Sequence, residues 1–368
     1  MPANELENLM TEIVVIGGGP AGLSAALVCA RRGLDTTVIE KRSFPVIKAC
    51  GEGLMPGGVD SLKRLVPQEL INKIEYHQFA GIRYVAPNGE CASGYFGKGD
   101  GWGIERSELS KLLSQAVEQE PGINILEKTV ATVEGSAEQP IVHFNSKPLR
   151  PKLLIAADGL HSPIRRWAEL NRPPSKLKRW GLRQHYQITP WTNLVEVHWS
   201  KDMEAYVTPV SPNSVGIAVL SHRELISSWQ KPISLKATLE VFSNLGPKLL
   251  SSEAKDQLIG IGPLHQTVKR TGTGKVILVG DAAGYLDAIT GEGVSNAMEQ
   301  ALLIDRILKK QKEKPSIDEL VFNYANQLPA LMRRYYWLTH LTLLLHRRPS
   351  LVNQVVRVFQ KTPWLFNY

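Results

Sequence analysis

Short apolar runs bounded by glycines recur through the first half of the chain and again near residue 280. Glu12–Ile16 and Thr36–Glu40 each predict a short buried strand, and Ala21–Arg32 between them predicts a buried helix. A strand, a helix and a second strand in this order form a β-α-β unit. Two further buried strands are predicted at Leu153–Ala157 and Val276–Val279. The pattern therefore indicates an α/β fold.

The pattern changes between residues 182 and 220, where apolar and polar positions alternate and Pro, Asn and Ser separate the segments. Alternation with a period of two is typical of strands that bury one face. These segments predict an antiparallel sheet inserted between two halves of the α/β domain: Leu182–Ile188, Leu194–Trp199, Ala205–Val210 and Val215–Leu220.

Helical periodicity marks four other regions: Ser107–Glu118, Gly293–Lys309, Ile317–Leu331, and a tail from Tyr335 to Tyr368 with breaks at Pro349 and Pro363. We expect three units from this order of elements. Residues 1–175 and 265–315 form a discontinuous nucleotide-binding domain, residues 176–264 form a substrate-domain sheet, and residues 316–368 form a helical C-terminal region.

Composition narrows the class of protein. Of the 368 residues, 43% are hydrophobic and 21% are charged, which is ordinary for a globular protein. The three cysteines (Cys29, Cys50 and Cys91) lie far apart, which excludes a disulfide scaffold and a cysteine-based zinc site and suits the reducing cytoplasm. Met1–Met10 lacks the basic and apolar segments of a secretory signal. We expect no metal site and no bilayer-spanning helix.

The net charge of +8 is concentrated near the C-terminus. Leu331–Tyr368 contains six Lys or Arg residues and no Asp or Glu, together with several aromatic residues. Such a segment fits a peripheral membrane surface or an acidic carrier protein that delivers a lipid-like substrate. The alternative is a helical cap on the substrate domain with a solvated basic face. No motif for nucleic-acid recognition accompanies the segment, so a nucleic-acid partner is not expected.

A glycine-rich turn follows the first predicted strand. Val14–Gly22 reads VVIGGGPAG, which places G-x-G-x-x-G at Gly17, Gly19 and Gly22, with Ala21 inside the motif. Gly17 permits the tight turn, Gly19 lets the backbone approach a pyrophosphate, and Gly22 lets the helix pack against the strand. The second strand ends in Glu40, followed by Lys41. An acidic residue there binds ribose hydroxyls, which favours FAD or NAD over NADP.

Two later motifs distinguish FAD from NAD. Ala156–Arg166 reads AADGLHSPIRR and Val279–Val294 reads VGDAAGYLDAITGEGV. With the glycine turn, they resemble the ordered motifs of a flavoprotein superfamily that includes aromatic hydroxylases, flavin-dependent halogenases and geranylgeranyl reductases. The resemblance implies a Rossmann-like FAD-binding domain with an inserted antiparallel-sheet substrate domain and a helical C-terminal tail.

The resemblance also implies roles in FAD binding. Asp281 would bind the ribityl chain, and the helix start at Gly291–Val294, with Gly293 inside it, would face the flavin pyrimidine edge. Arg106 would contact the diphosphate or ribose, and Asp158 and Gly159 the pyrophosphate. The backbone of Val130, within a strand predicted at Lys128–Val133, would meet the adenine.

The substrate site is less well defined by the sequence. Cys50 and Gly51 lie in a glycine-rich loop expected beside the flavin, and Arg183, His185 and Tyr206 are the candidates on the inserted sheet. The Trp-x-Trp-x-Ile-Pro motif of halogenases has no counterpart. Two geranylgeranyl reductase motifs match in part, at Lys48–Gly51 and at Tyr206–Pro209. No catalytic residue is assigned.

We therefore expect an FAD-dependent oxidoreductase, with monooxygenation preferred. In that reaction NAD(P)H, binding transiently, reduces FAD, and a flavin 4a-hydroperoxide passes oxygen to a small aromatic or lipid-like substrate. The first alternative is a geranylgeranyl-reductase-like enzyme that saturates C=C bonds of an isoprenoid or lipid. The second is a non-catalytic flavin-binding interaction protein. An NAD dehydrogenase without flavin is a fourth interpretation.

Overall fold

The computed structural model describes residues 12–145, 147–174, 178–222, 235–242, 244–249, 252–311, 315–346 and 348–365. Met1–Met10, Arg347 and the last three residues of the tail, all of which carried sequence interpretations, lie outside this described part.

Most strands are short. In chain order they are β1 (Ile13–Ile16), β2 (Thr36–Ile39), β3 (Gly53–Leu54), β4 (His77–Phe79), β5 (Gly81–Val85), β6 (Cys91–Tyr95), β7 (Gly101–Gly103), β8 (Ile123–Leu126), β9 (Thr132–Ser136), β10 (Gln139–Phe144), β11 (Lys147–Leu149), β12 (Leu153–Ala156), β13 (Arg179–Gln187), β14 (Leu194–Trp199), β15 (Met203–Ser211), β16 (Ser214–His222), β17 (Glu253–Ala254), β18 (Ile259–Ile261), β19 (Gly272–Thr273) and β20 (Val276–Leu278).

The helices concentrate towards the C-terminus. In chain order they are α1 (Pro20–Ala30), α2 (Pro56–Leu65), α3 (Gln68–Ile71), α4 (Arg106–Gln119), α5 (Pro163–Trp167), α6 (Leu235–Leu239), α7 (Gly246–Leu249), α8 (Gly293–Lys310), α9 (Ile317–His346) and α10 (Pro349–Lys361), with 3₁₀ turns at Gly280–Ala283 and Pro363–Leu365.

A six-stranded sheet forms the centre of the nucleotide-binding part. Its order is β19-β20-β12-β1-β2-β8, and the strands from β20 to β8 run parallel. β1, β2, β12 and β20 are almost wholly buried, as expected for a sheet covered on both faces. The turns that follow β1, β12 and β20 therefore meet at one edge of the sheet, where ligands of open α/β sheets bind.

The second large sheet follows the order β17-β13-β16-β15-β14-β5-β6, with β18 also paired to β13. β13 to β16 match the four strands predicted from alternation. β5 and β6 come from residues 81–95, and β5 runs parallel to β14. The sheet thus takes strands from both sides of the proposed boundary at residue 175, and the division into three units stays a prediction.

Two predicted elements were wrong in their bounds. The helix predicted to end at Leu331 continues to His346 through Pro329. Pro329 lies on the exposed face of the helix, where water can bind the carbonyl that its ring leaves unpaired. The strand predicted at Lys128–Val133 begins only at Thr132, because Lys128 adopts a left-handed backbone (φ 53°) and the Thr129 N–H donates to the Glu40 carbonyl instead.

Candidate functional site: a cofactor and substrate cavity

A cavity of about 1700 Å³ lies between the two large sheets. It brings together most of the residues singled out from the sequence. Those that line it are Gly17, Gly19, Ala21, Glu40, Lys41, Cys50, Gly51, Arg106, Val130, Asp158, Gly159, Arg183, Tyr206, Asp281, Gly291, Gly293 and Val294. Gly22 and His185 lie behind the wall. Single small-molecule pockets occupy roughly 300–1000 Å³, so this cavity has room for a dinucleotide and a second molecule.

The glycine turn has the geometry that a pyrophosphate needs. Gly17 has φ 112°, and a Cβ on it would lie 2.3 Å from the Ala157 carbonyl oxygen. A Cβ on Gly22 would lie 1.9 Å from the Gly17 oxygen, so helix and strand approach as closely as their backbones allow. A Cβ on Gly19 meets only the Arg106 guanidinium, at 3.9 Å. Gly19 therefore leaves open space at the N-terminus of α1, where anions bind.

Glu40 is buried beside this turn. One carboxylate oxygen accepts a hydrogen bond of 2.6 Å from the Gly18 N–H, and the other accepts one of 3.0 Å from the Arg42 N–H. These bonds fix the carboxylate, and each oxygen retains a lone pair for a ribose hydroxyl. Val130 lies near Glu40 in an irregular segment and is 69% exposed. The predicted strand context for Val130 was wrong, while its contact with adenine stays a prediction.

Arg106 is the first residue of α4, and its side chain is almost fully buried. Its Nη1 has no hydrogen-bond partner within the described ranges, and burial lowers the pKa of the guanidinium. A buried N–H donor without a hydrogen-bond partner is costly. Because this one lies over the open side of Gly19, an anionic diphosphate would complete its hydrogen bonds.

The other two motifs are joined by Arg165. Its guanidinium donates to the carbonyls of Leu160 (2.8 Å) and Ala282 (3.1 Å), so the segment after β12 is fastened to the turn after β20. Asp158 accepts from the Ile164 N–H at 3.1 Å, and burial raises the pKa of its carboxyl. Sequence reasoning assigned no role to Arg165, although it stands inside the quoted motif AADGLHSPIRR.

Asp281 forms a salt bridge of 3.0 Å with Lys48. Both side chains are partly exposed and line the cavity, and a Cβ on Gly159 would lie 3.5 Å from Lys48 Nζ. A polyol hydroxyl can bind the free oxygen of Asp281 without breaking this pair. Lys48 was noted in the sequence only as part of a partial motif.

The N-terminus of α8 lies at the cavity wall next to Gly291, which adopts φ 69°. Several buried polar atoms at this helix start have no hydrogen-bond partner among the residues that the structure covers: Thr290 Oγ1, Glu292 Oε2, Ser295 Oγ and Asn296 Nδ2. Buried polar groups are normally paired. Together with the free N–H groups and the positive dipole end, they suit a heteroaromatic ring edge with several donors and acceptors.

A network of charged residues that the sequence did not reveal lies at the junction of loop 48–55 and the substrate sheet. Glu52 is buried, and its carboxylate accepts from the Arg106 N–H (2.8 Å) and pairs with His185 Nε2 (2.6 Å). Asp256 pairs with His185 Nδ1 (2.8 Å) and with Arg183. In the sequence, the one local indication that Glu52 is a site residue is its position between two glycines. No local feature indicated Asp256.

Polar groups on the substrate side are used within the protein. The Tyr206 hydroxyl donates to the Ile289 carbonyl at 2.6 Å, and the Thr208 hydroxyl donates to the Gly51 carbonyl at 2.8 Å. Burial and the charge of Glu52 raise the pKa of the Cys50 thiol, which keeps it protonated. The remaining wall here is largely apolar: Ile82, Tyr84, Phe96, Val195, Val197, Leu220, Ile261 and Leu264.

Helix α9 closes the cavity and is tied to its wall. Tyr335 donates to the Asp287 carbonyl (3.1 Å), and His346 Nδ1 lies 3.1 Å from Glu204. Glu204 also pairs with buried Arg179, which reaches Asp287 at 3.3 Å. Burial raises the pKa of Glu204 to about 8, against the opposing charge of Arg179.

The residues that line this cavity offer a partner for each part of FAD. The diphosphate has the open glycine turn and the unsatisfied Nη1 of Arg106, the ribose has Glu40, and the ring edge has the unsatisfied groups at α8. Within the described ranges, no group of three His, Cys, Asp or Glu residues is placed to hold a metal ion. The fold and the site together define an FAD-dependent oxidoreductase.

Comparison with known proteins agrees with this class. The chain belongs to the family described as "FAD binding domain", which it matches over residues 10–313. It is 27% identical over 320 residues to digeranylgeranylglycerophospholipid reductase 1 of Methanothermobacter thermautotrophicus, covering 80% of this chain and 76% of that protein. It is 28% identical over 321 residues to the corresponding reductase of Thermoplasma acidophilum, covering 82% and 78%.

Solved structures share the fold. PqsL, a probable FAD-dependent monooxygenase of Pseudomonas aeruginosa, superimposes with a TM-score of 0.77 at 18% identity over 94% of this chain and 99% of that one. The flavin-dependent halogenase CmlS gives a TM-score of 0.76 at 21% identity over 89% and 63%. The predicted flavoprotein superfamily and fold class are confirmed. The roles of individual site residues stay predictions.

Proposed function

We propose that this protein is an FAD-dependent reductase that saturates C=C bonds of an isoprenoid lipid. The observation that carries the proposal is the apolar extension of the cavity beyond the cofactor site. This extension runs between the substrate sheet and α9, and two of the hydroxyls that line it, those of Tyr206 and Thr208, are already bonded within the protein. An elongated hydrocarbon needs volume and apolar contact, whereas a phenolic substrate needs free polar partners to orient it.

Two further points support the reductase. The named reductases that resemble this chain align over most of its length, and two motifs typical of such enzymes match in part at Lys48–Gly51 and Tyr206–Pro209. FAD, when bound, supplies the hydride. The protein's part is to hold the double bond beside the cofactor, to exclude water through α9 and loop 48–55, and to supply a proton. We propose NAD(P)H, bound transiently, as the reductant.

The first prediction separates this reaction from the monooxygenation favoured by the sequence. FAD-loaded protein, photoreduced without oxygen, should convert digeranylgeranylglycerophospholipid to products that gain two hydrogen atoms per double bond, measured by mass spectrometry. Reduced protein mixed with oxygenated buffer and substrate should return directly to the oxidised flavin spectrum.

Two results would contradict the reductase. A transient absorbance band, blue-shifted from oxidised flavin, together with a product that gains oxygen would favour the monooxygenase. Tight FAD binding without turnover of any isoprenoid or aromatic substrate, with NAD(P)H or an artificial donor, would favour a non-catalytic flavin-binding protein.

We also propose that the substrate arrives from an anionic membrane surface. One face of α9 lines the cavity through Arg334, Leu338 and Thr342. The neighbouring face of the same helix exposes three large apolar side chains at helical spacing: Trp337 (63%), Leu341 (42%) and Leu344 (62%). Trp364 and Leu365 near the C-terminus are exposed as well. No described helix is long and apolar enough to span a bilayer.

Charge decides which surface fits this apolar face. Arg333 and Arg348 are exposed at its two ends, and the segment from Leu331 onward contains no acidic residue. Basic side chains around exposed Trp and Leu are typical of elements that lie in the interface of an anionic bilayer. A lipid could then pass from the bilayer along α9 into the cavity.

The second prediction tests this surface. The double variant Trp337→Ser, Leu344→Ser should bind phosphatidylglycerol-containing vesicles at least about tenfold more weakly, because each side chain loses roughly 1.5–3 kcal/mol of burial. Co-sedimentation measures the binding. Phe322→Ser, which removes a 66% exposed side chain about 22 Å earlier on the helix, is the matched control and should bind like wild type. Equal binding by the double variant, or binding only to an acidic carrier protein, would contradict the proposal.

A further inference from the structure

A chain of ionisable groups connects the outside of the substrate sheet with the cavity. The Asp256 side chain is 32% exposed, and its Oδ2 lies 2.8 Å from His185 Nδ1. The other ring nitrogen of His185 lies 2.6 Å from Glu52 Oε2. Glu52 in turn lines the cavity. Two hydrogen bonds therefore lead from a solvent-accessible carboxylate to the site.

The surrounding backbone is arranged for this contact. Glu52 has φ 62°, a left-handed conformation that is uncommon outside glycine and concentrates at functional sites. Gly216 stands opposite His185 on the paired strand β16. A Cβ at Gly216 would lie 2.7 Å from Glu52 Oε2 and 3.4 Å from the His185 ring, so a larger residue would separate the two partners.

The groups that face His185 set its charge. Glu52 approaches from loop 48–55, Arg183 from the same strand, and Asp256 from the segment after β17. Cys50 and Arg106 lie beyond Glu52. Burial opposes protonation, but the hydrogen bonds and charges of the two carboxylates outweigh burial and Arg183, so the pKa of His185 lies above its ordinary value. His185 can therefore hold a proton near neutral pH.

We propose that Asp256, His185 and Glu52 carry one proton at a time from solvent to the cavity. The destination of that proton rests on the proposed function. Saturating a C=C bond adds a hydride from the reduced cofactor to one carbon and a proton to the other. The Nε2 proton of His185 first passes to the Glu52 carboxylate, and the Glu52 O–H bond then breaks as the new C–H bond forms. The neutral ring shifts its remaining proton from Nδ1 to Nε2, and Nδ1 then takes a proton from solvent by way of Asp256, which restores a protonated His185 beside a Glu52 carboxylate.

The first test needs no cofactor. In the protein without FAD, ¹⁵N-histidine NMR should show that His185 loses its proton at a higher pH than an ordinary histidine does. Both Asp256→Asn and Glu52→Gln should lower the pKa of His185. Glu253→Gln, which changes an exposed carboxylate on the neighbouring strand β17, is the control and should leave the His185 titration unchanged. A His185 pKa that is unchanged by both substitutions would overturn the network.

The second test follows the proton. The His185 backbone N–H donates to Asp256 Oδ1 at 2.8 Å. Asp256→Asn keeps an acceptor for this bond but cannot pass a proton on. Single-turnover reduction of the lipid should slow at least about tenfold in this variant, show a solvent deuterium effect, and recover when acetate or imidazole is added. Wild type and Glu253→Gln should share one rate. Rates within twofold for all three proteins would overturn the path while leaving the reductase intact.

A third measurement keeps the path testable if no lipid is reduced. Two-electron reduction of FAD takes up at least one proton. With FAD-loaded protein photoreduced in weakly buffered solution without substrate, an indicator dye should report uptake about tenfold slower in Asp256→Asn than in Glu253→Gln. Equal uptake rates would overturn the path independently of the reductase proposal.

Discussion

Gly22→Ala should prevent stable folding, whereas Gly19→Ala should fold normally and lose FAD. At position 22 the new methyl group would stand 1.9 Å from the Gly17 carbonyl oxygen, which belongs to the backbone of the tight turn and cannot move aside. We expect a loss of about 3 kcal/mol or more in the free energy of unfolding. At position 19 the backbone is ordinary (φ −79°), and the nearest atom is 3.9 Å away, so stability should change by less than about 0.5 kcal/mol.

The Gly19 methyl group nevertheless occupies the space through which a pyrophosphate reaches the N-terminus of α1. FAD affinity should fall about 100-fold, because hydrogen bonds to a charged ligand contribute roughly 1.5–3 kcal/mol each. Thermal unfolding of the apoprotein and fluorescence titration with FAD separate the two effects. A Gly19→Ala protein that binds FAD as wild type does would mean that the diphosphate lies elsewhere.

Arg106→Met should weaken FAD binding by about two orders of magnitude without disrupting the fold. The guanidinium is buried, and its Nη1 has no hydrogen-bond partner in the described structure. The guanidinium lies next to the open side of Gly19. Methionine retains length and helix propensity but removes the charge-assisted hydrogen bonds that a diphosphate would accept. Isothermal titration with FAD gives the affinity, and circular dichroism verifies the helices.

Arg32→Met provides the comparison for this change. Arg32 pairs with Asp305 at 2.7 Å and does not line the cavity, so its loss should leave FAD affinity within about twofold. If both variants bind FAD equally well, the unpaired nitrogen of Arg106 serves another partner, and the assigned position of the diphosphate is wrong.

The sequence predicted what local chemistry determines. The turn at Gly17–Gly22, the buried strands beside it and the four alternating strands follow from steric demands and burial within a few residues, and all were found in place. β5 was not predicted to join the substrate sheet, because its pairing with β14 joins residues more than 100 positions apart. Helix α9 continues through Pro329 because this residue lies on the solvent-exposed face. Tertiary packing determines which face is exposed, so the local sequence could not predict it.

The candidate site also contains residues that the sequence identified and residues that only tertiary contacts reveal. Glu40 was identified by its spacing from the glycine turn, whereas Arg106 and Asp281 were identified by the family resemblance of the motifs around them. Glu52, His185 and Asp256 come together from a loop, a strand and a later segment. Their spacing in the sequence does not predict that they are in contact. His185 was singled out by alternation, but its two carboxylate partners became visible only in three dimensions.

The position of α9 has a consequence for the order in which a newly made chain can mature. The glycine turn is complete once residue 22 has been synthesised, yet Arg334, Leu338 and Thr342 provide the last wall of the same cavity. A ribosome-bound chain that lacks α9 would leave its apolar substrate wall open to water. A cavity closed on this side can therefore form around the cofactor only after α9 has been synthesised and has packed against the substrate sheet.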